Sequence, residues 1–303
     1  MAPVKYANCF ASNGGPIDSL EESKIQFGDV TWSVANARLR PGLRVADFSN
    51  ILFAAMDGTG LDRNPLVARH KAISEALERW AHHVSSSGPE RERFGFDADP
   101  TSNGMAAFPG WFTRQARSFA LAEAIERYAI VAWWSGLLPI VRCPGIRSGK
   151  AEFTECFRIL HPFAKHEVAL VRREFKQGFM AYGFAGSRSW SKACESATLE
   201  LERCGVLLER YYQQNPGLEV GDLGTVQDFM EQRILYFSLP EGAEQFEGKV
   251  KQSEGLEMKL QSPEVLFDGE IRGPWSRYAT VWRVCFSMPS DAYLDTDPCF
   301  FYW

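Results

Sequence analysis

Apolar positions recur every three or four residues in three stretches of the chain and gather in short runs elsewhere. Over about 66–84 the stripe is Leu66, Ile73, Leu77, Trp80, Ala81 and Val84, a spacing that predicts an amphipathic helix. A second helix is predicted over roughly 112–134, with Leu121, Ala124, Ile125, Tyr128, Val131 and Ala132 on its apolar side. The third lies near 191–213. Ser189 or Ser191 opens it, and its face is Ala193, Ala197, Leu201, Cys204, Leu208 and Tyr211 or Tyr212.

Strand character is clearest in VTWSVANARL (30–39), HEVALVRREF (166–175), GFMAYGFAG (178–186) and YATVWRVCFSM (278–288). GMAAFP (104–109) reads as a short strand or a turn, and 139–182 as alternating strand and short-helix signals. NGGP (13–16) is a turn. After RVADFSNILFAAM (44–56), the stretch DGTGLDRNP (57–65) reads as a turn-rich break. A charged loop is expected over 85–103, and Gly217, Gly221 and Gly224 mark another. The charged segment 241–260 has little periodicity and reads as surface or partly mobile chain. The alternation predicts an α/β or α+β fold, helices against mixed sheet, in one integrated domain over 1–303.

Composition narrows the function. A 45% apolar and 23% charged chain is ordinary for a globular protein. At a formal charge of -5, with Lys and Arg scattered, it offers no basic stripe for nucleic acid. The most apolar segment, YAIVAWWSGLLPIV (128–141), is too short for a bilayer, and MAPVKYANCF lacks a signal core. A cytoplasmic protein without a membrane partner is expected. Seven cysteines without a C-x-x-C suggest reduced, mostly buried thiols, and the five histidines lack zinc spacing.

Candidate chemistry sits on the predicted helices. AISEALERWA (72–81) and ALAEAIERYA (120–129) each place two glutamates three residues apart, Glu75 with Glu78 and Glu123 with Glu126. ATLELERCG (197–205) offers Glu200 and Arg203 at the same spacing. Residues three apart share one helix face, so convergence of the three helices would make a nest of carboxylates beside Arg79, Arg127 and Arg203. Like charges so placed repel, unless a hard cation such as Mg²⁺ sits among them. Arginines alongside suit phosphate oxygens. ATP with magnesium uses both. An exposed helix rich in good helix formers would carry the same E-x-x-E-R pattern without any site. Rival signatures are missing: the chain has no G-x-x-x-x-G-K-[ST], no G-x-G-x-x-G after a strand and no G-x-S-x-G.

Three blocks together resemble the YcaO family: DGTGLDRNPLVARHKAISEALERWA (57–81), SNGMAAFPGWFTRQARSFALAEAIERYA (102–129) and YGFAGSRSWSKACESATLELER (182–203). The resemblance covers the middle half of the chain and implies an α+β YcaO-like fold, with ATP between glutamate-bearing helices and magnesium on the carboxylates. Carried over, Glu75, Glu78, Glu123 and Glu126 are expected metal and nucleotide ligands, Arg127 a phosphate contact, and Glu200 and Arg203 the matches in the third helix. The chain departs from the family at Thr59, where a lysine is common, at Lys71, where serine is common, and at Trp111, where an asparagine helps hold the nucleotide. Asn103 is the candidate substitute.

Azoline-forming members finish in a proline-rich tail near the active site, whereas this sequence closes with DPCFFYW. That aromatic tail (291–303) is expected to dock in an apolar groove and bring the Trp303 carboxylate to the substrate, or else to pack as a strand in the core or on a partner. The resemblance implies a cyclodehydratase that phosphorylates a backbone amide oxygen of a ribosomally made precursor peptide, turning Cys, Ser or Thr into thiazoline or oxazoline. Asp57, His70 and the terminal carboxylate are the candidate bases. A separate E1-like or ThiF-like leader-binding partner is implied, in a multi-subunit complex that can include an azoline oxidase. Thioamide- or amidine-forming chemistry, and a non-catalytic scaffold, are the alternatives.

Overall fold

The computed structural model describes residues 6–27, 29–44, 56–148, 152–258 and 261–303. Most of RVADFSNILFAAM lies outside them. In chain order the elements are β1 (Ile17–Phe27), β2 (Val30–Leu39), β3 (Gly58–Asp62), α1 (Pro65–Ser86), β4 (Met105–Pro109), α2 (Thr113–Trp134), β5 (Ile140–Ser148), β6 (Glu152–Ile159), β7 (Glu167–Glu174), β8 (Met180–Ser187), α3 (Trp190–Gln214), α4 (Phe229–Ser238), α5 (Pro240–Ser253), β9 (Val265–Ile271) and β10 (Ala279–Phe286). The fold is α+β. Its three sheets are antiparallel rather than mixed, in the orders β1-β2-β3, β4-β10-β9 and β5-β6-β7-β8. Among the described residues no helix is long and apolar enough to cross a membrane.

The chain divides into two compact units. The first takes in the described residues up to 124 together with Glu264–Ser287. In it α1 lies on β3, and the contact is as close as a backbone permits. A Cβ on Gly58 would fall 2.2 Å from the Ala72 carbonyl oxygen, and one on Gly60 would fall 1.8 Å from that of Ala68. DGTGL is therefore the start of a strand and not a turn-rich break, and its glycines leave room for the helix that covers them. Asn64 caps α1 by accepting the Leu66 N–H, and Pro65 occupies the first helical position. The buried face of α1 is Ala68, Ala72, Ile73, Ala76, Leu77, Trp80 and Ala81, whereas Leu66 and Val84 at the ends of the expected stripe are exposed. Trp80 meets Trp275 edge to face at 5.8 Å within this core.

The second unit comprises Ile125–Pro263 and Met288–Trp303. The described residues of 139–182 form a meander of strands with no short helix among them; β5 and β6 were hidden by their interspersed charges. On α3, Ala193, Ala197, Leu201 and Leu208 are buried as expected, but Cys204 is only half-buried. The stretch read as loose surface chain is α5, whose Phe246 and Val250 are fully buried. Its spacing of apolar residues is too sparse for periodicity to reveal. The closing segment is neither a strand nor a surface tail: Phe301 is fully buried amid Trp133, Trp134, Tyr182, Phe237 and Phe246. Arg233 of α4, also fully buried, holds that segment by its main chain. It donates to the carbonyls of Tyr293 at 2.8 Å, Asp295 at 2.6 Å, Asp297 at 3.0 Å and Tyr302 at 3.2 Å.

Candidate functional site

In the first unit the structure brings Glu75, Glu78 and Glu123 within electrostatic reach of one another. Glu75 Oε2 accepts the main-chain N–H of Thr59 at 2.9 Å, and its Oε1 takes a hydrogen bond from Arg79 at 2.9 Å. This carboxylate thus ties α1 to β3 as well as facing its neighbours. Glu78 keeps part of its residue surface exposed, yet its carboxyl group is enclosed. Burial pushes it well above the usual carboxylate range, and the charges of Glu123 and Glu75 push further in that direction. Arg79 and the Ala107 main chain oppose the shift without cancelling it.

The second unit gathers Glu126, Arg127, Glu200, Arg203 and Trp303. Glu126 Oε2 accepts the Gly186 N–H at 2.7 Å, and Oε1 lies 3.7 Å from Arg127 Nε. Burial raises the Glu126 carboxyl to about 7; Arg127 and the Gly186 hydrogen bond pull it down, and Glu200 adds to the rise. Arg127 Nη1 donates to the Trp303 main-chain oxygen, and its guanidinium lies over the rings of Phe184 at 5.1 Å and Tyr302 at 5.5 Å. Arg203 pairs with Glu200 at 2.9 Å on the half-exposed side of α3. Glu123 and Glu126 occur one turn apart on the single helix α2.

The two units share a local pattern. In each, an antiparallel meander ends in a glycine-bearing strand that lies on the alanine face of the next helix. A Cβ on Gly183 of β8 would fall 2.1 Å from the Ala197 carbonyl oxygen and 2.4 Å from Leu201 N. Gly58 meets Ala72 and Ala76 in the same way. Matching Gly183 with Gly58 sets Ala197 against Ala72, Glu200 against Glu75, and Arg203 against Glu78. The third helix is therefore a variant of the first, with a guanidinium where α1 has a carboxylate. Glu202, which also follows the E-R pattern, is committed elsewhere: it is buried in a bidentate pair with Arg173 at 2.8 and 2.6 Å.

Other residues singled out in the sequence make the following contacts. Asn103 Nδ2 donates to Asp99 at 3.1 Å, within a turn whose carbonyls at Asp99 and Thr101 are gripped by the buried Arg283. Asp57 is buried and accepts the Leu39 N–H at 2.7 Å, with Arg44 at 3.4 Å, so its carboxylate fastens the end of β2. His70 stands edge-on to Tyr6 at 5.6 Å, in a pocket with Phe10 and Ile73. Trp111 is exposed. Lys71 binds the Leu61 carbonyl and Asp62. The main-chain N–H groups of Thr59 and Gly186, which fix Glu75 and Glu126, were not legible, because a backbone donor leaves no residue type to read.

The seven cysteines are free thiols, three buried and four half-buried rather than mostly buried. Among the described residues no three or more His, Cys, Asp and Glu side chains form a ready metal cage. No protein-family model, curated protein or solved structure matches the chain.

Proposed function

We propose that this chain is an ATP-dependent, YcaO-like cyclodehydratase that acts in the cytoplasm on a peptide backbone. The observation that carries the reading is the set Glu75, Glu78 and Glu123, in which an enclosed carboxyl is pushed upward by two like-charged neighbours. Such a set is costly in isolation and suits a divalent cation. The donors are all carboxylate oxygens, which fits Mg²⁺. That ion takes one or two carboxylates and completes its shell with water and phosphate oxygens, so a closed protein cage is not required. Glu75, Glu78 and Glu123 would supply those one or two carboxylates, and when bound the ion would neutralise triphosphate charge.

The chain's own groups then have distinct tasks. Arg127, held against Phe184 and Tyr302, presents a guanidinium of fixed direction for phosphate oxygens, and Arg203 beside Glu200 offers a second. In the substrate, a Cys thiol or Ser/Thr hydroxyl adds to the preceding carbonyl and gives up its proton to water. The resulting oxyanion takes the γ-phosphoryl group of ATP, and phosphate leaves with loss of the amide proton to give the azoline and ADP. The enzyme's contribution is positioning and charge stabilisation, which is what phosphoryl transfer demands. A leader-binding partner resembling E1-like or ThiF-like proteins supplies the peptide.

Calorimetric titration of the purified chain with ATP tests this. Binding is expected with Mg²⁺ present and not with EDTA, and Glu123→Gln is expected to weaken it at least about tenfold, or ~1.4 kcal/mol. Wild-type protein that binds no ATP with Mg²⁺, alone or with partner and peptide, sinks the enzyme reading and favours a scaffold.

A further inference from the structure

Three of the cysteines lie close together on the second unit, and the proposed reaction uses none of them. Cys156 of β6 and Cys194 of α3 have sulfurs 3.8 Å apart. Cys143 of β5 is the cross-strand partner of Cys156, but its thiol is directed to the Val141 carbonyl at 3.8 Å. The two facing thiols differ in environment. Cys156 is buried, whereas Cys194 is half-buried in the opening turns of α3 and can be reached from solvent. The hydrogen bond from Cys156 lowers the Cys194 thiol from its ordinary value, and the same shared proton holds Cys156 up. A reachable thiol facing a sheltered one at 3.8 Å is the arrangement of a nucleophile with a resolving partner.

We infer that Cys156 and Cys194 form a reversible thiol-oxidation site, in which a peroxide oxidises Cys194 and Cys156 closes an intramolecular disulfide. The Cys194 thiolate attacks one peroxide oxygen, forming an S–O bond and breaking the O–O bond. With hydrogen peroxide the leaving hydroxide becomes water on taking up a proton. The Cys156 sulfur then attacks the sulfenic sulfur and expels its oxygen as a second water, with the thiol proton. Two thiols lose two electrons, and the peroxide gains them. A dithiol reverses the step by exchange. The bond joins the first turns of α3 to β6, where the Arg158 guanidinium already lies over the Trp190 ring at 5.5 Å. In a reducing compartment a disulfide of this kind is transient and responsive, and does not serve to hold the fold.

The test is peroxide treatment of the native chain, alkylation of remaining thiols and tryptic mapping. The expected product joins AEFTECFR (151–158) to ACESATLELER (193–203), two hydrogens lighter than the separate peptides, and dithiothreitol removes it. The link is expected to persist in Cys143→Ser. In Cys156→Ser, Cys194 is expected to stop at a sulfenic acid that dimedone traps. The proposal is overturned if both thiols stay alkylatable under peroxide that oxidises a free-thiol standard, or if Cys143 supplies the main link in the wild-type chain. Because the wild-type chain carries the decisive measurement, poor folding of a variant does not change the outcome.

Discussion

Glu126 accepts the main-chain N–H of Gly186 at 2.7 Å, so a helix carboxylate reads the backbone of β8 directly. The side chain is only 13% exposed. Its carboxyl is raised from 4.5 to about 7, first by burial. Between those two values the native state holds more protons than the unfolded chain, so stability falls as pH rises through the window. The contribution is fully present below about pH 4.5 and gone above about pH 7, with an upper size of about 3 kcal/mol.

Glu126→Gln keeps an acceptor for Gly186 and removes the titration. Thermal unfolding from pH 5 to pH 8, without divalent cations, is expected to show the variant a few degrees above wild type at the alkaline end and level with it at the acid end. Calorimetry on the same variant is expected to show weakened Mg²⁺-dependent ATP binding. Parallel pH profiles for the two proteins would show that Glu126 does not titrate in this range.

Glu75 separates the structural from the ligand-binding role of a carboxylate. Glu75→Ala leaves the Thr59 N–H without its acceptor and is expected to cost about 1–3 kcal/mol in denaturant unfolding. Glu75→Gln retains an acceptor and is expected to cost less than about 1 kcal/mol while still weakening ATP binding. Equal stability losses for the two variants would contradict the Thr59 assignment.

Gly58 and Gly183 test the shared strand-on-helix contact. Alanine at either places Cβ within 2.2 Å of a helix carbonyl, so the backbone must move. A loss of ~3 kcal/mol or more is expected for each, the upper part of the overpacking range. Gly221→Ala, with nothing near its added carbon, is expected to stay within about 0.5 kcal/mol of wild type. A stable Gly183→Ala protein would mean that β8 and α3 are not so closely apposed.

Arg233 anchors the segment that brings the Trp303 main-chain oxygen to Arg127. Arg233→Met removes the donor from four carbonyls and is expected to cost at least about 3 kcal/mol, because bonds to a charged group are among the stronger ones. Hydrogen exchange is expected to rise first across 293–303. Unchanged protection there would show that aromatic packing alone holds the segment.

Much of the fold was legible because some residues commit to one partner by their own pattern. The faces of α1, α2 and α3 follow from 3.6-residue periodicity, and β2, β7 and β10 from runs of β-formers. β5, β6 and α5 were not, since their charged residues are satisfied by one another: Arg142 and Arg172 both pair with Glu155 and Glu247 across β5, β6, β7 and α5. Such pairings cancel in space and disrupt the pattern only along the chain. Arg233 and Glu202 were overlooked for a similar reason, because a charged residue in sequence gives no sign that it will be buried and fully bonded.

By itself the sequence determined the helices, their acidic turns and the spacing that makes Glu75, Glu78, Glu123 and Glu126 share helix faces, because that information lies within a few residues of backbone geometry. Only the tertiary structure decided which carboxylates meet, which are fastened by the N–H groups of Thr59 and Gly186, and that the aromatic tail is core. Those outcomes depend on long-range packing and main-chain donors, which carry no residue identity along the chain.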